Sequence, residues 1–351
     1  MRLKPTWWRA ASLLPLLFAL LLAGCGNTNI NDITHTPSML DPQGPIGLKE
    51  SDLFWIIFYI ATAVFVIVVS VLIYSIIRFR ARPDSPEPTQ THGNTKIEIA
   101  WTIAPSIVLV LVLIATITTM FQIQEPPSSN TITVNAIGHQ WWWEFDYGNG
   151  VVTADEMWIP TGTVVHINLR SNNVIHSFWV PQLGGKTDVI PGHDNAMWLQ
   201  ADSVGWYRGE CAEFCGTQHA HMDFLVHAVS PSDYQTWVSQ QQQTAAQPTE
   251  TLAEAGAKYF ASSPCIGCHQ ISGVTTADPS KLIGPNLTHF GSRQWIAGGV
   301  VDNTPGNLAA WIRDPQAIKS GVDMPAFGQA AGGSLTDAQI NELVAYLESL
   351  K

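Results

Sequence analysis

Two stretches of this chain contain no charged side chain. One runs from Leu53 to Ile77, 25 residues between Asp52 and Arg78; the other runs from Ile99 to Gln124, 26 residues between Glu98 and Glu125. Each exceeds the roughly 20 residues an α-helix needs to cross the hydrocarbon core of a bilayer, where every backbone N–H and C=O must be paired within the segment. The pattern predicts a two-helix membrane hairpin, with the rest of the chain on one side or the other. Pro105 lies early in the second run, where its missing N–H costs least or produces a kink. The loop between the runs carries Arg78, Arg80, Arg82 and Lys96. The positive-inside rule therefore puts that loop in the cytoplasm and everything after Glu125 outside.

Ahead of the hairpin, Arg2, Lys4 and Arg9 precede an apolar run from Ala10 to Leu22, which ends in Leu22-Ala23-Gly24-Cys25. A basic start, an apolar middle and a small-residue end make a leader. The Leu-Ala-Gly-Cys run resembles the bacterial lipoprotein signal, which implies lipidation of Cys25 after removal of residues 1–24; an uncleaved anchor is the alternative. Net charge is −11, and from Glu125 to Pro231 eleven acidic residues face three basic ones. So acidic a surface excludes nucleic acid as a partner and can steer a basic protein, or can simply keep an exported domain in solution.

From about Ser129 to Ser230 the pattern turns β-like. Thr131-Ile132-Thr133-Val134, Val164 to Leu169 and Phe224 to Val229 are rich in β-branched and apolar residues, with turns at Pro160-Thr161-Gly162 and Pro191-Gly192. A small antiparallel barrel or sandwich is expected. Ser232 to Glu250 reads as a polar tether. The last hundred residues read as helical: Thr336 and Gln339 form a capping-box pattern, Ile340, Leu343, Val344 and Leu347 recur at helical spacing, and Thr251 to Phe260 suits an opposing helix. The expected boundaries are 25–51 for an external N-terminal segment, 52–125 for the hairpin, 126–231 for the β domain, 232–250 for the linker and 251–351 for the last domain.

Five cysteines fall inside motifs. Cys211-Ala212-Glu213-Phe214-Cys215-Gly216-Thr217-Gln218-His219-Ala220-His221-Met222 offers two thiols, two imidazoles and a thioether within twelve residues. Thiolate with imidazole suits copper, zinc or an iron–sulfur centre, and the thioether favours copper. His176, in His176-Ser177-Phe178-Trp179-Val180-Pro181, can add an imidazole from another loop. A disulfide is the alternative for the cysteine pair. The stretch resembles the binuclear copper A motif of cytochrome c oxidase subunit II, and the hairpin, barrel and upstream histidine match that family in order over roughly residues 50–230. The resemblance implies a cupredoxin-like β-barrel in which Cys211 and Cys215 bridge two coppers. It further implies that His176 and His219 each cap one, that Met222 is a weak ligand and that the Glu213 carbonyl is another. It implies also that Trp141, in Gly138-His139-Gln140-Trp141-Trp142-Trp143, accepts electrons from the donor, that the Glu213 carboxylate holds a shared Mg or Mn ion with Asp188 nearby, and that Glu98 marks the mouth of a proton path. Trp143 reads equally well as an aromatic seal on the barrel.

Cys265-Ile266-Gly267-Cys268-His269 is the attachment signature of c-type haem: two thioether-forming thiols beside one axial imidazole. Met324 is the sole methionine after residue 250, hence the one thioether this region can offer as the second axial ligand. Zinc or a redox-active pair would need neither His269 nor helical surroundings. Gly284-Pro285-Asn286-Leu287 resembles the loop that braces the proximal histidine in small cytochromes c.

The whole chain resembles subunit II of a bacterial cytochrome c oxidase with a C-terminal class I cytochrome c domain, the caa3 type. That implies electrons passing from an external cytochrome c or upstream cytochrome complex to haem c, to copper A and on to subunit I, where O2 reduction and proton translocation occur. Implied partners are subunits I and III and the lipid bilayer of the bacterial inner membrane, with both chain ends on the periplasmic face. Three rivals are distinguishable. A quinol oxidase subunit II would lack the metal ligands, and a nitrous oxide reductase would lack the hairpin. A copper-delivery lipoprotein with an electron-transfer haem domain would not need two spans.

Overall fold

The computed structural model describes residues 37–80, 87, 89–124, 126 and 131–351. The leader, Cys25 and Arg82 lie outside the described residues. Helices α1 (Pro45–Arg78) and α2 (Thr95–Gln124) form the hairpin. Their apolar side chains point outward over most of both helices. The hydroxyls of Thr102, Ser106, Thr116 and Thr118 bond carbonyls four residues back at 2.7–2.9 Å, so these polar groups are paired within α2. Pro105 sits inside α2 without ending it.

The outer end of the hairpin is fastened to the β domain. Gly44, in extended conformation ahead of Pro45, lies against the Gln200 carbonyl, where any Cβ would collide. Gln43 N–H donates to Gln182 O at 2.7 Å, and the Trp198 indole donates to Ile123 O at 2.8 Å. The indole bond satisfies one of the carbonyls that a helix C-terminus leaves orphaned. Ile46, Val164, Trp198 and Ile123 fill the seam.

Two five-stranded sheets make up the cupredoxin-like domain. The first has the order β3 (Val152–Ala154), β2 (Trp142–Asp146), β1 (Thr131–His139), β5 (Val164–Ser171), β8 (Asn195–Leu199). The second has the order β4 (Glu156–Pro160), β10 (Asp223–Val229), β9 (Gly205–Cys211), β6 (His176–Trp179), β7 (Thr187–Val189). Against the antiparallel expectation, β1 pairs β5 and β4 pairs β10 in parallel. Alternating polarity reports which face is buried, not which strand lies alongside, and β4 crosses to the second sheet so that β5 returns beside β1. The aromatic core is built on Trp143, Phe145, Phe178 and Phe224. On β9 the inward positions alternate through Tyr207 and Gly209 to Cys211, so the strand delivers a thiol to the end of the core. Gly209 is needed because a Cβ there would enter the Phe224 ring.

The segment read as a tether begins as a helix. Ser230 caps α3 (Pro231–Gln241), accepting from Asp233 N–H at 3.2 Å, and Tyr234 and Trp237 bury against the β domain. The last domain holds α4 (Thr251–Ser262), a two-residue ladder of β11 (Trp295–Ile296) with β12 (Val301–Asp302), α5 (Pro305–Arg313), α6 (Pro315–Ile318) and α7 (Asp337–Ser349). Both arms of the Thr336–Gln339 capping box form, and Ile340, Leu343, Val344 and Leu347 face the core. Helix α4 crosses α7 so closely at Gly256 that a Cβ would meet the Glu342 carbonyl.

His227 on β10 stacks on Trp206 at 3.7 Å between centroids and meets Trp158 edge-on at 4.2 Å. Burial lowers its pKa to about 4 from an ordinary 6.5. A group depressed on folding contributes full stability above the unfolded pKa and loses it as protons bind the unfolded chain preferentially. The denaturant midpoint of the full-length protein should therefore fall as pH drops from 6.5 towards 4. The fall should be smaller in His227→Phe, which keeps the stack; an identical fall in that variant would put the titrating group elsewhere.

Candidate copper and haem sites

Strand β9, the loop after it and the start of β6 bring the copper-type donors together. Cys211 and Cys215 are free thiols with sulfurs 3.7 Å apart. His176 Nδ1 lies 3.8 Å from the Cys211 sulfur, and His219 Nδ1 lies 3.7 Å from the Cys215 sulfur. Met222 Sδ stands 3.8 Å from the Cys215 sulfur, and the Glu213 carbonyl stands 3.3 Å from the Cys211 sulfur. His176, Cys211 and Cys215 are all buried and form a group able to hold a metal ion. Hydrogen bonding between the sulfurs and to His176 lowers the Cys211 pKa, while that sulfur contact and burial raise Cys215. Two thiols, two imidazoles, a thioether and a carbonyl within this span make a soft donor set of the kind copper takes.

The ring of His176 is held from behind. Its Nε2 donates to Asn173 Oδ1 at 3.0 Å, which leaves Nδ1 as the nitrogen facing Cys211. A Cβ on Gly138 would lie 2.7 Å from the ring, so only glycine lets β1 pass so close. Trp143 seals the core behind it at 5.9 Å between centroids. Asn173 carried no signal in the sequence, because a lone Asn in Asn172-Asn173 reads as a turn residue.

Trp141 lies on the other side of the copper-type cluster. Its indole N–H donates to Cys215 O at 3.0 Å, beside the Gln140 amide, which donates to the same carbonyl at 2.8 Å. Trp142 stacks on His139 with centroids 4.1 Å apart. His221 Nδ1 meets Gln218 Oε1 at 2.6 Å, and among the described residues His221 is not part of the metal-capable group.

In the last domain, a tight turn over Pro264–Gly267 sets His269 N–H on Cys265 O at 2.9 Å and gathers Cys265, Cys268 and His269 on one wall of a cavity of about 410 Å³. That volume falls in the range of cofactor sites, about 300–1,000 Å³. Phe260, Leu308, Ile312, Phe327 and Leu343 supply apolar walls, and Met324 and Pro325 complete the lining. His269 Nδ1 donates to Pro285 O at 2.9 Å, leaving Nε2 for the cavity. Gly284 is required there, since a Cβ would stand 2.6 Å from the imidazole. Two thiols, an oriented imidazole and a thioether around an apolar cavity fit a covalently attached haem. Gln140, Trp141 and Trp142 of the β domain line the same cavity.

The remaining candidates stand apart from these clusters. Glu98 accepts from Asn94 N–H at 3.0 Å and so caps α2. The Glu213 side chain is exposed, and neither it nor Asp188 belongs to the metal-capable group among the described residues.

Three family profiles match successive parts of the chain. The profile of the cytochrome c oxidase subunit II transmembrane domain matches residues 35–119, that of its periplasmic domain matches residues 150–229, and a cytochrome c profile matches residues 253–351. A cytochrome c oxidase subunit 2 from Alkalihalophilus pseudofirmus is 40% identical across 98% of both chains, and one from Bacillus sp. (strain PS3) is 36% identical across 98% of both. A quinol oxidase subunit 2 from Bacillus anthracis is 34% identical but covers 71% of this chain.

Removing the Asn173 side chain frees the His176 ring without touching a donor. Asn173→Ala should weaken copper binding by about 10-fold or more in a competitive chelator titration. Unchanged affinity would mean that packing alone orients His176.

Proposed function

The chain belongs to the cytochrome c oxidase subunit II family, with a cytochrome c domain fused to it, and on that premise we propose that it passes electrons from a haem c at Cys265 and Cys268 to a binuclear copper A held by Cys211, Cys215, His176, His219, Met222 and the Glu213 carbonyl. When bound, these groups supply one-electron storage. The protein's part is to hold them rigidly. Cys265 and Cys268 would attach the haem covalently, His269 and Met324 would ligate its iron, and the Asn173 and Pro285 bonds orient the two imidazoles before any group is bound.

One observation carries the reading. Trp141 borders the haem cavity, and its indole N–H bonds the carbonyl of Cys215. A single residue thus borders both donor clusters, which supports Trp141 as the point where electrons reach the copper domain. The hydrogen bond fixes the ring against the cysteine loop.

As a member of this family the chain acts within a membrane-bound haem-copper oxidase. The finer arrangement belongs to the proposal: subunits I and III as neighbours, O2 reduction and proton translocation in subunit I, a cytochrome as reductant, and both soluble domains on the periplasmic face. That orientation is supported by Arg78, Arg80 and Lys96 in the loop between the spans. Glu98 serves in it as the proton-path carboxylate at the cytoplasmic start of α2, and Cys25 as a lipidated N-terminus.

Full-length protein reconstituted with copper and haem should give a mixed-valence binuclear copper signal together with a low-spin c-type haem spectrum. A mononuclear copper signal, or failure to attach haem, would sink the reading. Met324→Ala should lower the haem reduction potential in a redox titration, because thioether ligation raises it. An unchanged potential would put the second axial ligand elsewhere.

A further inference from the structure

Lys319, at the end of α6, is 2% exposed and lies in no motif. Its ammonium donates to Trp141 O at 2.7 Å, across the boundary between the two soluble domains, and to Ala297 O of its own domain at 2.8 Å. Burying an ammonium is costly unless it is hydrogen-bonded and its charge is balanced. Here the carboxylates of Asp155 and Asp223, both from the copper-site domain, lie near enough to act on it.

The contacts beside Lys319 cross the same boundary. Ser320 accepts from the Gln218 amide on both its carbonyl and its hydroxyl, at 2.9 and 3.0 Å. Gly321, at φ +86, comes against the Trp141 ring. Asp223 N–H donates to Gly298 O at 3.1 Å, and at Gly298 a Cβ would reach 2.8 Å from Trp141 O. A reciprocal contact runs the other way: the buried Glu156 carboxylate of the β domain accepts from the backbone N–H groups of Gln294 and Trp295. The loop pinned by Lys319 continues to Met324, and the Gln316 side chain braces it through Gly321 N–H at 2.8 Å and Val322 O at 2.7 Å.

We propose that Lys319 is a positioning residue that locks the cytochrome domain onto the main chain of Trp141, so that haem and copper stay at one fixed separation and each transfer needs no docking step. The proposal rests on the function assigned above. In the transfer one electron is lost at the haem iron and gained by the copper pair; no bond forms or breaks. The loop bearing Met324 is braced separately by Gln316, so loss of the Lys319 bonds loosens the docking and leaves haem ligation in place.

The test uses the intact oxidase. One electron is delivered to the haem by flash photolysis of a ruthenium sensitiser, and its arrival is followed at the copper absorption band, in buffers of increasing viscosity. In the native protein the rate should not change with viscosity. In Lys319→Met it should drop at least tenfold and become viscosity-dependent, with copper and haem spectra intact. Hydrogen exchange on the full chain gives a readout free of turnover: the Asp223 amide should exchange at least tenfold faster in the variant. Native rate and native exchange in Lys319→Met would overturn the lock. So would a native transfer rate that slows with viscosity, which settles the matter even if the variant misfolds. Absence of the binuclear copper signal in the native protein would instead remove the function reading, and this inference with it.

Discussion

Trp141 is hydrogen-bonded at both ends, once towards each donor cluster. Its indole N–H holds the Cys215 carbonyl, on the loop that carries the copper-type donors, and its own carbonyl takes the ammonium of Lys319 from the haem domain. Neither bond is local: the partners lie 74 and 178 residues away. Such contacts exclude water, so each is electrostatically stronger than it would be in solvent, and each would leave a buried polar group unsatisfied if it were broken. The result is a single aromatic residue whose position is set by one domain on each side.

Rigidity at the two donor clusters is built from glycines and backbone carbonyls more than from the donors themselves. Gly138 and Gly284 let a strand and a loop press against His176 and His269, and Asn173 and Pro285 fix which nitrogen of each ring is left free to meet a bound group. A centre that carries electrons gains from such preorganisation, because donors that are already in place need not move when the charge on the metal changes.

What the sequence made legible follows the range of its signals. The spans, the Cys-x-x-Cys-His turn, the thiol-rich loop and the capping box of α7 are each written within a few dozen residues, and each appears as an element or cluster of the structure. The parallel pairing of β1 with β5 was hidden, because alternation records faces and not neighbours. Helix α3 was legible in hindsight: Ser230 and Pro231 make a start signal, and Tyr234, Trp237 and Val238 share one face, yet the glutamines that follow gave the segment the look of a tether. Lys319 and Glu156 carried no signal at all. A charged residue in a polar region reads as solvated, and only the docking of two domains removes the water.

Helix α3 changes what the connection between the soluble domains can do. Trp237 is sunk in one core and Ala245 in the other, and Ala245 N–H is fastened to Ser272 O at 3.2 Å. Between the end of α3 at Gln241 and Ala245 only three residues remain. At about 3.3–3.6 Å per residue they span roughly 10 Å when fully extended. A joint that short keeps the last domain from wandering to a neighbouring complex, so on the proposed reading each subunit would be the private supplier of its own copper centre.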